Sequence, residues 1–284
     1  MATSQSNIQV IVLPWFPQDS LFDPALRLLD ENVRASVTRF YRKEGRWRSL
    51  LGRLLTVLVL RDQGAEGELQ FEKTSRGKPY LAHPVLHPPI LFNISHDNSL
   101  IAFGYSRPLG DGPHRIGVDC MKLAIRSDET PRMFVQVISE QLTPGELASL
   151  QQPMSDEHLI ERAFIIWTIK EAFIKAIGEG MAFDLQQIDC RLDQGAIWVS
   201  GMPATEWQFR LWAIEIVPAG MARQRYAVTT CEWVGEGGGV IFENGSSDRL
   251  ELMLGTDLLR RVGLVSAESE AEMQVTFGAL HWLA

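Results

Sequence analysis

Alternating apolar and polar positions predict several strands along the chain. Apolar residues at every second position favour a first strand over residues 8–12 and a β-hairpin from Ile90 to Ser106, with His96 near its tip. The same period of two predicts a strand from Trp207 to Ala213 and a β-rich partner from Tyr226 to Glu232. Strands therefore occur in both the first and the second half of the chain.

Longer periodic segments predict helices between these strands. Residues 46–62 are apolar on more than one side, which is typical of a helix buried inside a domain. Thr143, Pro144 and Glu146 form a capping box that predicts the start of a short helix. The longest helix is expected to begin after an N-cap at Ser155 and to run to about Ile177, before two glycines.

Each half therefore combines a long buried helix with a group of strands. This pattern predicts an α/β fold made of two similar halves, residues 1–113 and 114–284, rather than one continuous parallel sheet. The Gly-rich segment 234–248 is expected to be a flexible connector. Residues 250–284 are expected to form one or two short helices, with no role assigned.

Composition narrows the function classes. The 284 residues are 45% hydrophobic and carry a net charge of −8, which opposes nonspecific nucleic-acid binding. Cys120, Cys190 and Cys231 lie far apart and are expected to be reduced, buried thiols. The apolar run near the N-terminus is too short for a signal peptide or a membrane span, so we expect a soluble cytosolic protein.

Two acidic positions are candidates for chemistry. Asp119 interrupts the short apolar strand GVDCM, although a lone Asp at a strand end is more often a turn or cap residue than a metal ligand. Trp167, Glu171 and Lys175 form one stripe at the border of the buried face of the long helix. From this pattern alone, an ordinary surface pair between Glu171 and Lys175 is the favoured interpretation.

Two other segments suggest nucleophilic or phosphate chemistry. Ser95 and His96 invite a serine-hydrolase hypothesis, but neighbours on a strand point to opposite faces, and no Gly-x-Ser-x-Gly segment occurs. Lys73, Arg76 and Lys78 surround a glycine that would let the backbone approach a phosphate, although a charged surface turn has the same pattern. No P-loop or dinucleotide fingerprint is present.

In order along the chain, RGKP, FNISH, GVD and WTIKEAFIK resemble the signatures of the 4′-phosphopantetheinyl transferase family. That resemblance implies a two-lobed monomer whose α/β halves are related by a pseudo-two-fold axis. Coenzyme A would bind in the cleft between the halves, where an apo acyl or peptidyl carrier protein would dock. The reaction would move the phosphopantetheine arm to a carrier serine and release adenosine 3′,5′-bisphosphate. A noncatalytic module that binds coenzyme A or carrier protein is the alternative.

The resemblance also implies roles for individual residues. Asp119 and Glu171 would hold Mg²⁺, and Lys175 would contact the phosphate at or near the reaction centre. With His96, these three are the candidate catalytic residues, and Glu171 is hypothesised to accept the proton of the carrier serine directly or through a metal-bound water. The coenzyme A contacts are expected from Lys175 and from eight first-half residues: Arg53, Lys73, Arg76, Gly77, Lys78, Asn93, Ser95 and His96.

One position departs from the family pattern. Many members carry a second acid two residues after the strand Asp, where this chain has Met121, and a thioether is a poor ligand for Mg²⁺. An extra water is therefore expected to complete the ligand set. Because carrier proteins are usually acidic, a local basic or apolar patch is expected beside the cleft. The preferred carrier, whether of fatty acid, polyketide, nonribosomal peptide or lysine pathways, stays open.

Overall fold

The computed structural model describes residues 7–12, 19–108, 112–113, 115–218, 222–243, 248–265 and 273–278. The α-helices in these residues are α1 (Phe22–Leu26), α2 (Glu31–Thr38), α3 (Lys43–Asp62), α4 (Pro131–Val137), α5 (Pro144–Leu150), α6 (Asp156–Ile177) and α7 (Gly255–Arg261). The strands are β1 (Asn7–Val12), β2 (Gln70–Lys73), β3 (Pro79–His83), β4 (Leu91–Asp97), β5 (Leu100–Ser106), β6 (Ile116–Lys122), β7 (Ile188–Arg191), β8 (Ala196–Val199), β9 (Met202–Pro203), β10 (Trp207–Pro218), β11 (Gln224–Trp233), β12 (Gly239–Glu243), β13 (Leu250–Leu254) and β14 (Met273–Gly278).

Two main sheets organise these elements. The first sheet has the order β13-β1-β5-β4, and the second has the order β12-β10-β11-β6, with β14 also paired to β10. Two small sheets, β2-β3 and β7-β8-β9, flank them. The predicted α/β mixture is confirmed, whereas a pseudo-two-fold relation between the halves stays a prediction.

The first sheet and the helices packed on it, α1, α2, α3 and α7, form what we call the first lobe. Helix α3 fills its core. Trp47, Leu50, Leu51 and Leu55 are fully buried, and they share a core cluster with Phe103 of β5. Apolar residues on more than one side of the helix meet both the sheet and the shorter helices, as the sequence predicts. The helix begins three residues before the predicted segment.

Helix α6 packs on β6 and β11 of the second sheet, and we call this sheet with its helices the second lobe. The predicted ends of α6 are confirmed. The Ser155 hydroxyl accepts a hydrogen bond from the backbone of His158, and Gly178 ends the helix in the left-handed conformation at φ +76°. The helix packs closely on β6 because Gly117 lacks a side chain. A Cβ at Gly117 would lie 2.0 Å from the Ala172 carbonyl oxygen, so only glycine allows this approach.

The segments after β11 differ from expectation. The predicted connector 234–248 contains a strand, since β12 pairs in parallel with β10. An apolar run within the Gly-rich segment meets the open edge of β10, a partner that local composition does not reveal. Residues 244–247 of this segment lie outside the described residues.

The tail was expected to form one or two short helices, and this prediction is wrong for residues 250–254 and 273–278, which are strands. Residues 266–272 and 279–284 lie outside the described residues. Helix α7 is present, but β13 pairs in parallel with β1, and β14 pairs with β10. Met253, Leu258 and Leu259 lie in the core of the first lobe, so this part of the tail completes that lobe. A division of the chain at residues 113 and 114 stays a prediction.

Two further expectations concern thiols and membranes. Cys120, Cys190 and Cys231 are free and buried, as predicted. Among the described residues, no helix combines the length and apolar character needed to cross a bilayer.

Candidate active site

The site lies where the outer strands of the two sheets, β4 and β6, run beside each other under helix α6. Ser95 of β4 donates a hydrogen bond to Asp119 Oδ1 of β6 at 2.8 Å. Lys175 of α6 donates to the same Oδ1 at 2.6 Å and to Ser95 Oγ at 2.9 Å. Three residues that are far apart in the sequence therefore meet in one polar cluster, which we call the Asp119 cluster.

The Asp119 carboxylate is buried but only half satisfied. It is 5% exposed, and its second oxygen, Oδ2, has no hydrogen-bond partner among the described residues. Burial raises the pKa of Asp119 above its usual range, and the neighbouring Lys175 partly opposes this shift. A buried carboxylate oxygen without a partner is costly in a static fold, so Oδ2 is a candidate ligand atom.

Glu171 adds a second carboxylate to this region. It precedes Lys175 by four residues, one turn along the same face of α6, and it is half-buried. Burial raises the pKa of Glu171, and the charge of Asp119 raises it further. Lys175 lowers the pKa of Glu171 and so offsets part of this repulsion, and a cation bound by the two acids would relieve the rest.

The donor chemistry fits Mg²⁺. Carboxylate oxygens are its preferred protein ligands, and one or two carboxylates completed by phosphate and water are typical. Met121 lies on the strand face of Asp119 but supplies only sulfur. No group of three or more His, Cys, Asp or Glu side chains suited to a metal occurs in the described part of the chain. The protein would therefore supply only Asp119 and Glu171.

Lys78 is directed at the end of α6. Its ammonium donates to the carbonyl oxygens of Ile116, Lys175 and Ala176, the last two at 3.0 and 3.3 Å. Burial lowers the pKa of Lys78 to about 8, and Arg115 lowers it further against the opposing effect of Cys231. In this structure Lys78 joins the Gly-Lys-Pro turn to the second lobe.

The rest of that turn is exposed. Arg76 forms an ion pair with Glu179 just beyond α6. Gly77 adopts φ +86°, and its N–H donates to the Thr74 carbonyl oxygen at 2.8 Å, so the turn needs glycine at this position. Lys73 is exposed at the end of β2. Among the described residues, no hydrogen bond or ion pair joins Lys73, Arg76 or Gly77 to the Asp119 cluster.

A basic pocket opens on the other face of β4. It has a volume of about 250 Å³ and is lined by α2, α3, β4 and the neighbouring loops. Its charged and aromatic walls include Arg39, Arg48, Arg53, His96, Phe71 and Phe92. His96 points into this pocket while Ser95 points to Asp119, so the two residues face opposite ways as the strand pattern predicts. They do not form a hydrolase pair.

Burial and neighbouring positive charges lower the pKa values of two residues that line the pocket. Partial burial lowers the pKa of His96, and Arg48 lowers it further. Partial burial and the charge of Arg39 lower the pKa of Arg53. Three arginines and His96 line the pocket with a single acid, Asp30, so its net positive charge is suited to a phosphorylated ligand.

The comparisons with known proteins agree with this chemistry. Residues 115–231 match the model of the 4′-phosphopantetheinyl transferase superfamily, and residues 14–105 match the N-terminal model of 4′-phosphopantetheinyl transferases. The 4′-phosphopantetheinyl transferase pptA of Paxillus involutus is 36% identical over 205 residues, which cover 70% of this chain and 78% of that protein. The chain belongs to the 4′-phosphopantetheinyl transferase family.

Other transferases of the family are more distant. The 4′-phosphopantetheinyl transferase HetI of Nostoc sp. is 32% identical over 180 residues, which cover 62% of this chain and 70% of that protein. The L-aminoadipate-semialdehyde dehydrogenase-phosphopantetheinyl transferase of Xenopus laevis is 27% identical over 179 residues, covering 62% of this chain and 58% of that protein.

For a phosphopantetheinyl transferase, the pocket contains basic residues that the sequence pattern did not single out. Arg39 and Arg48 line it together with Ser49, and of the nine residues expected to contact coenzyme A only Arg53 and His96 line this pocket. Ser49, Arg53 and Thr56 recur every three or four residues along α3, so a polar stripe on this otherwise apolar helix marks the pocket. This polar stripe is the sequence feature that could have indicated the pocket wall on α3.

Proposed function

We propose that Asp119, Glu171 and Lys175 form the reaction centre of phosphopantetheinyl transfer, and that the basic pocket on β4 holds the nucleotide of coenzyme A. The half-satisfied carboxylate of Asp119, beside an ammonium group and a second acid, carries this proposal. A noncatalytic binding module would gain nothing from an unpartnered buried oxygen at this point. The transferase function is therefore favoured over that alternative.

The pocket has the charge and shape to bind the nucleotide end of coenzyme A. Arg39, Arg48 and Arg53 line the pocket and would bind phosphate through their charge and their planar donors. Phe71 and Phe92 offer aromatic surface to an adenine ring. His96 lies at the pocket wall on β4, one residue from Ser95, so this strand connects the nucleotide pocket to the reaction centre.

Asp119 and Glu171 would hold Mg²⁺ through carboxylate oxygens. When bound, the ion would supply positive charge against the charge that develops on the pyrophosphate. Lys175 forms an ion pair with the Asp119 carboxylate and would add a second positive charge at the phosphate. Ser95 keeps the Asp119 carboxylate oriented through its hydroxyl.

Glu171 is proposed to accept the proton of the attacking serine. The serine oxygen of the carrier forms a bond to the β-phosphorus of coenzyme A, and the bond from that phosphorus to the bridging oxygen breaks. Adenosine 3′,5′-bisphosphate leaves with that oxygen, and the serine proton passes to the Glu171 carboxylate. Glu171 is suited to this role because its carboxylate is half-buried on the same face of α6 as Lys175, which pairs with Asp119.

Intact-mass spectrometry of an apo carrier protein tests this proposal. The carrier is incubated with coenzyme A, Mg²⁺ and either the wild-type protein or the Glu171→Gln variant, with an EDTA arm. We expect the carrier to gain one phosphopantetheine arm only with the wild-type protein and free Mg²⁺. A Glu171→Gln variant that transfers at the wild-type rate would contradict the role of Glu171 as base. Failure of the wild-type protein with several carriers would support the binding module.

The remaining expectations stay predictions. We expect a cytoplasmic monomer whose partners are coenzyme A and a carrier protein, and which binds neither nucleic acid nor membrane. We also expect a basic or apolar patch beside the cleft, where the carrier protein docks. Carrier affinity measured against ionic strength tests the patch: weakening at higher salt indicates a charged contact, and constant affinity indicates apolar docking.

A further inference from the structure

The geometry points to Asn93 and Asp97 as positioning residues that hold the two lobes in register and thereby set the contact between Ser95 and Asp119. The resemblance implied a coenzyme A contact for Asn93 and nothing for Asp97. One of the two readouts below uses the transfer activity and so rests on the proposed function. The other readout does not.

Two side chains of β4 bind the backbone of β6. Asn93 Oδ1 accepts a hydrogen bond from the Val118 N–H at 2.8 Å, and Asp97 Oδ2 accepts one from the Lys122 N–H at 2.7 Å. Both contacts advance by four residues along their strands, so β4 and β6 run in the same direction here. Alternate N–H groups of a strand point to the same side, which explains why positions 118 and 122 both face β4.

These contacts provide acceptors for backbone N–H groups at the open edge of β6. Its other side pairs with β11, and an outer strand has a row of N–H groups without backbone partners. Val118 is fully buried, so water cannot satisfy its N–H. An unsatisfied buried amide costs about 1–3 kcal/mol, which the side-chain acceptor from β4 avoids.

Asp97 is itself held in place. Its second oxygen, Oδ1, accepts a hydrogen bond from the Asn98 side chain at 3.0 Å. Asn98 adopts φ +45° in the hairpin turn, where Asn is among the residues that tolerate this conformation. The contact with Lys122 therefore fixes the turn end of the β4–β5 hairpin against the second lobe.

Ser95 lies midway between the two contacts. Residues 93, 95 and 97 share the strand face towards β6, while residues 92, 94 and 96 face the first lobe and its pocket. The Ser95 bond to Asp119 tolerates only a few tenths of an ångström before it weakens. Two flanking contacts that fix the strands against sliding would keep this bond, and the Asp119 carboxylate, in the reactive arrangement.

Amide hydrogen exchange and steady-state kinetics of matched variants test this inference. Asn93→Ala and Asp97→Ala remove the acceptors, whereas Asp97→Asn keeps an oxygen that can accept the Lys122 N–H. Asp128→Asn, at an exposed surface ion pair, is the control for loss of an acid. Exchange is followed at the Val118 and Lys122 amides, and kcat and the KM for coenzyme A are measured on an apo carrier.

We expect exchange at Lys122 to rise at least about tenfold in Asp97→Ala, and exchange at Val118 to rise similarly in Asn93→Ala. In both variants kcat should fall about 10- to 100-fold while the KM for coenzyme A changes less than about threefold. Asp97→Asn should recover most of both readouts, and the control should match the wild-type protein. Recovery by Asp97→Asn distinguishes a hydrogen-bond acceptor from a required charge.

Three results would overturn the inference. They are unchanged exchange at both amides, wild-type kcat in both alanine variants, or an Asp97→Asn variant as impaired as Asp97→Ala. If an alanine variant fails to fold, two measurements still test the inference. The Val118 and Lys122 amides of the wild-type protein should exchange slowly, and Asp97→Asn should keep near-normal exchange and kcat. If the wild-type protein transfers nothing, the proposed function fails, and the exchange readout still tests the contact between the lobes.

Discussion

Helix α6 carries two lysines, five residues apart, whose ion pairs differ in burial and in hydrogen bonding. Lys170 and Glu146 are both fully buried and lie 2.7 Å apart, whereas Lys175 is 27% exposed and pairs with Asp119 at 2.6 Å. The first pair joins α6 to α5, and the second joins α6 to β6. Their sequence surroundings are similar, since both lysines belong to the segment WTIKEAFIK.

The pairs differ in how completely their polar atoms are satisfied. Lys170 also donates to the carbonyl oxygens of Gln141 and Leu185, each at 2.9 Å. The two oxygens of Glu146 accept from the backbone N–H groups of Thr143 and Cys190. By contrast, Asp119 Oδ2 has no partner among the described residues. A closed network stabilises one conformation, and an open one leaves an atom free for a ligand.

Removing Lys170 should have the largest effect on stability. Lys170→Met leaves the Glu146 carboxylate buried without its cation, so we expect a loss of about 3–5 kcal/mol in the free energy of unfolding. Urea unfolding measures this loss. The double variant with Glu146→Gln should recover part of it, because both charges are then removed while a side-chain oxygen can still accept a backbone N–H. A Lys170→Met variant as stable as the wild-type protein would contradict the structural role of the pair.

Removing the charge of Asp119 should instead affect activity. Asp119→Asn keeps the shape and one carbonyl oxygen but weakens the metal site, so we expect a loss of about 100- to 1,000-fold in kcat. Stability should change by less than about 1 kcal/mol, since partly exposed Lys175 can be solvated. The mass assay and urea unfolding measure the two quantities. A large loss of stability with near-normal kcat would reverse the comparison.

A substitution at Gly117 should disturb only one of the two pairs. In Gly117→Ala the new methyl group meets the backbone of α6, and overpacking of this kind costs about 1–3 kcal/mol. We expect kcat to fall because Lys175 and Asp119 move apart, while Cys190 and its Glu146 contact stay protected from hydrogen exchange. Gly145→Ala is the matched control, because its nearest contact is a side-chain atom at 3.6 Å. Equal losses in both variants would refute a specific role for Gly117.

The smallest expected effect is on the pH dependence of stability. Burial raises the pKa of Asp119, so between the usual carboxyl value and the raised one the folded state binds more protons than the unfolded state. The stability contributed by this group therefore falls as pH rises through that window. With EDTA present, the stability of Asp119→Asn relative to the wild-type protein should increase from pH 4 upwards. A constant difference would show that Asp119 titrates normally.

Local patterns predicted most of the elements that build the site. The N-cap at Ser155, the capping box at Thr143 and the hairpin around His96 depend on neighbouring residues, and all three are confirmed. The tail could not be predicted in this way, because β13 is stabilised by pairing with β1 at the other end of the chain. Pairing across so many residues has no local sequence signal.

The partners of each polar side chain were likewise hidden from the sequence. The helix pattern favoured a surface pair between Glu171 and Lys175, but the structure directs Lys175 to Asp119. The choice depends on how closely α6 approaches β6, which Gly117 permits. Likewise, the alternation in FNISHD shows that Asn93 and Asp97 share a face, but not that this face meets a second sheet.

Binding of Mn²⁺, as a paramagnetic probe for the Mg²⁺ site, tests most directly that the open pair at Asp119 is the functional one. Electron paramagnetic resonance measures free Mn²⁺ in titrations of the wild-type protein, Asp119→Asn and Lys170→Met, each with coenzyme A. We predict one site in the wild-type protein, an affinity at least about tenfold weaker in Asp119→Asn, and wild-type affinity in folded Lys170→Met. Equal affinity in the wild-type protein and Asp119→Asn would contradict the assignment of Asp119 as a ligand.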